Sequence, residues 1–248
     1  MIADVLTVMW KESKALIRYQ GSLTKTILSL LIPVVMMGIY LPLQIGRALV
    51  EGPWSLLASV FIPMMLVGMT IPESFAGERE RHTLGTLLAS RLPDRAILFG
   101  KVALSVSYAW VITLTLHLVS LVMVNVAHWE GQVLFYTPTM ALTNVVLSLL
   151  LACLVAYLGV LISLRAATVQ GAQQTLMSAT LFPLVFLQMI PLLLLNVVPD
   201  GRELLKELVA AANPTQIILI IMTVLFVLDL GLFLAAIARF KRARLILS

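Results

Sequence analysis

Charge, cysteine and the motifs of soluble chemistry are all scarce in this chain. Only 12% of its residues are charged, about half the roughly 25% typical of soluble domains. One cysteine, Cys153, lies inside an apolar run. It excludes an intrachain disulfide and a Cys-rich metal site, and it reads as a small buried apolar residue. The three histidines, His82, His117 and His128, are scattered, and neither HExxH nor CxxC occurs, which argues against a metal centre. There is no GxxxxGKS/T phosphate loop: GSLTKT, starting at Gly21, has the lysine but lacks the second glycine and the length. Binding and hydrolysis of ATP by that route are therefore excluded for this chain. A GxSxG nucleophile elbow is also missing. The opening residues MIADVLTVMWKESK do not show a charged region, an apolar region and a cleavage site in order, so no removable signal peptide is expected.

What is present is hydrocarbon. The chain is 60% hydrophobic with a mean hydropathy of +1.03, against about 45–50% apolar residues in soluble domains. This composition predicts an all-α, polytopic membrane protein forming one domain over residues 1–248, with no soluble domain of useful size. Six spans are expected, at about 26–45, 54–75, 97–126, 138–164, 176–198 and 215–238. Each approaches or exceeds the roughly 20 residues needed to cross a hydrocarbon core of about 30 Å. Pro33, Pro42, Pro63, Pro72, Pro183 and Pro191 fall within or beside the first, second and fifth of these and read as kinks.

The charged residues divide by side. Fourteen of the seventeen Lys and Arg fall in the N-terminal flank, the second-to-third connection, the fourth-to-fifth connection and the tail. Arg47, Arg202 and Lys206 fall on the other side. By the positive-inside rule this places both termini in the cytoplasm. It also explains the net charge of +5 without nucleic acid. Residues 4–20 put Lys11, Lys14 and Arg18 on one helical face, roughly opposite Val5, Met9 and Leu16. That pattern predicts an amphipathic elbow helix on the inner leaflet. Residues 200–212 predict a second short amphipathic helix, on the outer side and ended by Asn213-Pro214.

One charged stretch, residues 72–101, interrupts the apolar runs: PESFAGERERHTLGTLLASRLPDRAILFGK. Charges at the bilayer centre cost about 2.5–3.5 kcal/mol each on insertion scales, so it must be aqueous. Residues 78–90 contain no proline and read as a short helix that Pro93 stops. Leu84, Leu87 and Leu88 lie on one side of it, while Glu78, Arg81 and His82 line another. Such a helix is either a solvated connector or a docking knob for a soluble partner. Inside the spans, Asp229 is the residue that most needs explaining, as a substrate or ion contact or as a polar contact between helices. Glu73, at the inner end of the second span, is set aside for its arginine neighbours. His117, Asn125 and Asn144 read as helix–helix hydrogen-bonding groups.

The stretch beginning at Phe75 resembles the signature of ABC-2-type transporter permeases. Glu78, Arg79, Glu80, Thr83, Leu84, Leu87, Leu88, Pro93, Arg95, Gly100 and Lys101 follow that family's order. Two positions depart: His82 stands where glycine is usual, and Thr86 where an acid is common. The layout agrees as well, with an elbow before six spans, Ala172, Gln173 and Gln174 in the fourth-to-fifth connection, and an external helix before the last span. The resemblance implies a permease subunit of an exporter in the cytoplasmic (inner) membrane, paired with a second copy or a paralogue and surrounded by lipid. It implies two separate ATPase subunits that bind ATP and Mg, so this chain by itself is neither an enzyme nor the holder of a cofactor. It further implies that residues 78–90 form the coupling helix, with Glu78, Arg79, Glu80, Arg81, Thr83, Leu84, Leu87 and Leu88 facing the ATPase. Two rivals are a secondary transporter coupled to an ion gradient through Asp229, and a membrane-embedded lipid enzyme. The enzyme would need convergent polar side chains at one depth, and the sequence shows no such cluster.

Overall fold

The computed structural model describes residues 1–19, 31–83, 85, 89–197, 202–203 and 213–240. Among these the chain is all helical. Helix α1, Ile2–Tyr19, is the amphipathic N-terminal segment. A short apolar helical segment, Leu31–Ile45, follows. Its middle, Val34–Tyr40, is π-helical, and α2, Leu41–Ile45, completes it. Pro33 and Pro42 each remove a backbone donor here, so the ladder is irregular. Ser120 donates to the Met37 carbonyl at 3.0 Å within this stretch. After α3, Arg47–Glu51, the long helices begin: α4, Leu56–Glu80; α5, Asp94–Ala127; α6, Pro138–Ser163; α7, Val169–Val197; and α8, Pro214–Arg239.

Four of these, α4, α5, α6 and α8, are long and apolar enough to cross a membrane, and the protein is a multi-pass membrane protein. The other two expected spans overlap Leu31–Ile45 and α7, neither of which is among those four; residues 26–30 and 198 lie outside the described residues, as does most of the expected external helix. Helix starts follow local chemistry. Thr137 and Asn213 cap α6 and α8, their side-chain oxygens accepting from Met140 N at 3.3 Å and Thr215 N at 3.1 Å, and proline occupies the next position in both. Asn213-Pro214, expected to end the external helix, opens the last helix; residues 204–212 before it lie outside the described residues.

The core lies where α4, α5, α6 and α7 meet, around Val67, Ile71, Ile97, Val155, Val160 and Leu176. Helix α8 packs chiefly on α6, and its buried residues are Asp229 and Ala236. At one end of the bundle α1 lies against α5. There a Cβ on Gly100 would come within 2.6 Å of the Val8 Cβ and 3.0 Å of the Val5 carbonyl oxygen. Only glycine permits so close an approach of the two helices.

Candidate functional site

Next to Gly100 stands Lys101, the last residue of the charged stretch. It is buried, with 1% of its surface exposed. Its Nζ lies 3.0 Å from Glu12 Oε1 and 3.0 Å from Glu78 Oε1. It also donates to the Ser74 carbonyl at 2.7 Å and lies 3.2 Å from Ser74 Oγ. The second oxygen of Glu12 accepts from Ser74 Oγ at 3.0 Å. Lys11 closes the group, 3.0 Å from Glu78 Oε1 and 3.6 Å from Glu12 Oε1. Two cations and two carboxylates from α1, α4 and α5 therefore form one neutral cluster. Burial alone would lower the Lys11 pKa, but the hydrogen bond and charge of Glu78, with those of Glu12, more than offset it and raise it above 10.5. Each of the three buried ions, Glu12, Glu78 and Lys101, would cost several kcal/mol to bury alone, and mutual pairing is what makes the arrangement tolerable.

The charged run that follows Glu78 is engaged inside the molecule. Arg79 donates to the Ala166 carbonyl at 3.4 Å. Glu80 accepts from the Val169 amide at 3.0 Å, a carboxylate at the amide end of α7, where the helix dipole favours it. Arg81 pairs with Glu73. The end of α4 is thereby tied to α1, α5 and the α6–α7 connection at once. Glu78–Glu80, expected as the start of a separate helix over 78–90, belong instead to α4. Helix α4 runs on through Glu80, Arg81 caps it, and His82 takes φ +58. Thr83 N then returns to the Glu78 carbonyl at 2.9 Å. Position 82, where the resemblance calls for glycine, thus has the left-handed backbone that glycine tolerates best. Leu84, Thr86, Leu87 and Leu88 lie outside the described residues.

A second polar group joins α4, α5 and α6 near the opposite end. Ser59 Oγ lies 3.1 Å from His117 Nε2 and 2.9 Å from Asn144 Oδ1. Asn144 Nδ2 reaches Ser55 Oγ at 2.9 Å. His117 Nδ1 lies 2.8 Å from the Thr113 carbonyl. A carbonyl only accepts, so Nδ1 carries the hydrogen and Nε2 of the neutral ring is free to accept. The residue types are those of a nucleophile and base, but the adjoining cavity is about 10 Å³, no larger than a single water requires. A substrate has no room there, and the group serves to join helices. Asn125 differs from the expectation: it bonds the Leu121 carbonyl and both backbone polar groups of Leu134, fixing the α5–α6 connection instead of another helix.

Asp229 is 6% exposed, and neither carboxylate oxygen has a hydrogen-bond partner among the described residues. Glu12 and Ser74 were missed by sequence reasoning. The signal for Glu12 was its place three residues after Met9 and four after Val8, an acid on the apolar side of α1; Ser74 carried none.

No protein-family model, no curated protein and no solved structure matches the chain.

Proposed function

We propose that this chain is the permease subunit of an ATP-binding cassette exporter of the ABC-2 type. The reading takes Leu31–Ile45, α4, α5, α6, α7 and α8 as six spans, with both termini in the cytoplasm of a cell with a cytoplasmic membrane. A second permease and two separate ATPase subunits complete the transporter. The observation that carries the reading is the match over residues 78–101, supported by the physical use of its positions. Position 82 needs a left-handed backbone, Gly100 admits α1, and Lys101 neutralises two buried acids. In this reading the stretch after Glu80 meets the ATPase. A push on it is passed through the Lys11–Glu12–Glu78–Lys101 cluster to α1 and α5 together, because breaking the cluster would cost more than moving it as a body. ATP supplies the differential affinity for the two states of the pathway.

The test is Leu88→Asp. An apolar contact with the ATPase would then receive an unpaired charge, at a cost of several kcal/mol. The permease should still insert, while ATPase co-purification in mild detergent and transport should both be lost. If both persist, residues 81–90 are a solvated connector and the coupling role is wrong. A second reading, a secondary transporter, is favoured only by the unpaired Asp229; it requires transport without any ATPase subunit.

A further inference from the structure

A partly open cavity of about 300 Å³ lies where α5, α6 and α8 meet, at the lower end of the roughly 300–1,000 Å³ range of small-molecule sites. Phe99 and Ala103 of α5, Tyr157 of α6 and Phe233 of α8 line it, and no charged side chain does. Phe99 and Phe233 stack with centroids 5.9 Å apart, and Tyr157 meets Phe233 near edge-on at 5.5 Å. The lining follows α5 from Leu98 to Ser107, about 14 Å at the helical rise per residue. That is close to one leaflet of a hydrocarbon core of about 30 Å. All three helices are long and apolar enough to cross a membrane, so lipid tails are what the opening meets.

Two arginines stand beyond one end of the cavity. The start of α5 and the finish of α8 lie together: Phe240 meets Phe75 edge-on at 5.8 Å, and Lys101 Nζ lies 5.4 Å over the same Phe75 ring. Arg95 precedes Phe99 by four residues, and Arg239 follows Ala236, also in the lining, by three. Each arginine therefore sits one turn beyond a cavity residue on the same helix face. Helical side chains lean toward the N-terminus, which aims Arg239 back along α8 toward the cavity. Both arginines are exposed, and neither has an ion pair or hydrogen bond among the described residues. The acid of that turn, Asp94, lies about 100° round the helix from Arg95.

We propose that this cavity is a phospholipid site, taking one acyl chain against Phe99, Tyr157 and Phe233, with an anionic headgroup held by Arg95 and Arg239. An uncharged lining suits a hydrocarbon chain and would leave a charged ligand without a partner. The length of the lining matches a chain lying along the membrane normal. Beyond it, the arginines supply the positive charge a phosphate needs, in a form that binds phosphate by paired hydrogen bonds. Their end of the bundle is the one the positive-inside rule assigns to the cytoplasm, whose leaflet carries the anionic lipids. A zwitterionic lipid fills the same groove, but its ammonium group cancels the attraction. The site needs only the membrane-spanning helices and does not rest on the export reading.

Native mass spectrometry of the purified full chain in neutral detergent, titrated with dioleoyl phosphatidylglycerol or dioleoyl phosphatidylcholine, tests it. One phosphatidylglycerol per chain should bind about thirtyfold more tightly than phosphatidylcholine, each arginine near an anionic headgroup being worth about fivefold. Arg95→Gln and Arg239→Gln should each cost about fivefold in phosphatidylglycerol affinity, and the two together should erase the preference. Ala103→Phe, which fills the cavity, should weaken both lipids about tenfold or more through lost burial of chain methylenes. Arg47→Gln, at the opposite end of the bundle, should change neither. Equal affinity of the wild type for the two lipids overturns the proposal, as does a preference that survives in the double arginine variant. Unchanged phosphatidylglycerol binding by folded Ala103→Phe overturns it too, since the chain then lies elsewhere. The arginine variants alter exposed side chains and keep the test open if Ala103→Phe fails to fold.

Discussion

At one end of the bundle Lys101 is enclosed by Glu12, Glu78 and Ser74, with Lys11 completing a neutral group; along α8, Asp229 is almost as deeply buried and has no partner among the described residues. The four buried Lys, Arg, Asp and Glu side chains among the described residues are these: three in one cluster and the fourth alone. Burying an ion is expensive in both places. In the cluster, neighbouring ions offset the cost, and three helices are fixed to one another as a result. Around Asp229 no hydrogen-bond partner among the described residues offsets it, so the packing seen there does not depend on the charge. A paired buried charge reports on architecture; the unpaired one is not accounted for by it.

The comparison breaks most visibly at Lys101. Lys101→Met leaves Glu12 and Glu78 buried without their main partner and should destabilise the protein by about 3–5 kcal/mol. Adding Glu12→Gln and Glu78→Gln should recover much of that loss in denaturant titrations in detergent, because the surviving charges then disappear together. Recovery would show that charge balance, more than packing of the lysine stem, is what matters there.

Much of the architecture was legible from composition and hydropathy alone. The expected spans at 97–126, 138–164 and 215–238 differ by a few residues at most from α5, α6 and α8. The site was legible only in part. Gly100 and Lys101 were singled out by resemblance, but the partners of Lys101 lie 89 and 23 residues earlier in the chain, and single-sequence periodicity carries no information on which helices meet. The charges from Glu78 to Arg81 were read as the start of a new helix, since charge normally marks the end of a span. A helix can run past the apolar zone if its polar end is engaged, and here Lys11, Lys101, Ala166 and Val169 engage it. Position 82 ends α4 by backbone conformation, which a histidine in the sequence does not announce.

A smaller effect is expected from Gly100→Leu. Its added carbons must displace Val8 or the Val5 carbonyl, and overpacking of this kind costs about 1–3 kcal/mol. Proteolysis within residues 1–19 should accelerate, since α1 is the element displaced, and Val8→Ala should partly restore protection. Smaller again is the response to alkali. The folded pKa of Lys11 is raised above 10.5, so its contribution is fully present below that value and is lost as pH rises through the folded pKa. Proteolytic protection of α1 should therefore hold from pH 8 to about 10 and fall above it, and Lys11→Met should flatten the fall.

The smallest effect on stability is expected at Asp229, and it tests the central claim most directly. Thermal unfolding of wild type, Lys101→Met and Asp229→Asn should be compared in one detergent at one pH. Asp229→Asn is expected to unfold at or above the wild-type temperature, because an amide is cheaper to bury than an unpaired carboxylate, while Lys101→Met unfolds well below it. Asp229→Asn unfolding as far below wild type as Lys101→Met would show that Asp229 holds the fold together, and the distinction between the paired and the unpaired charge would be wrong.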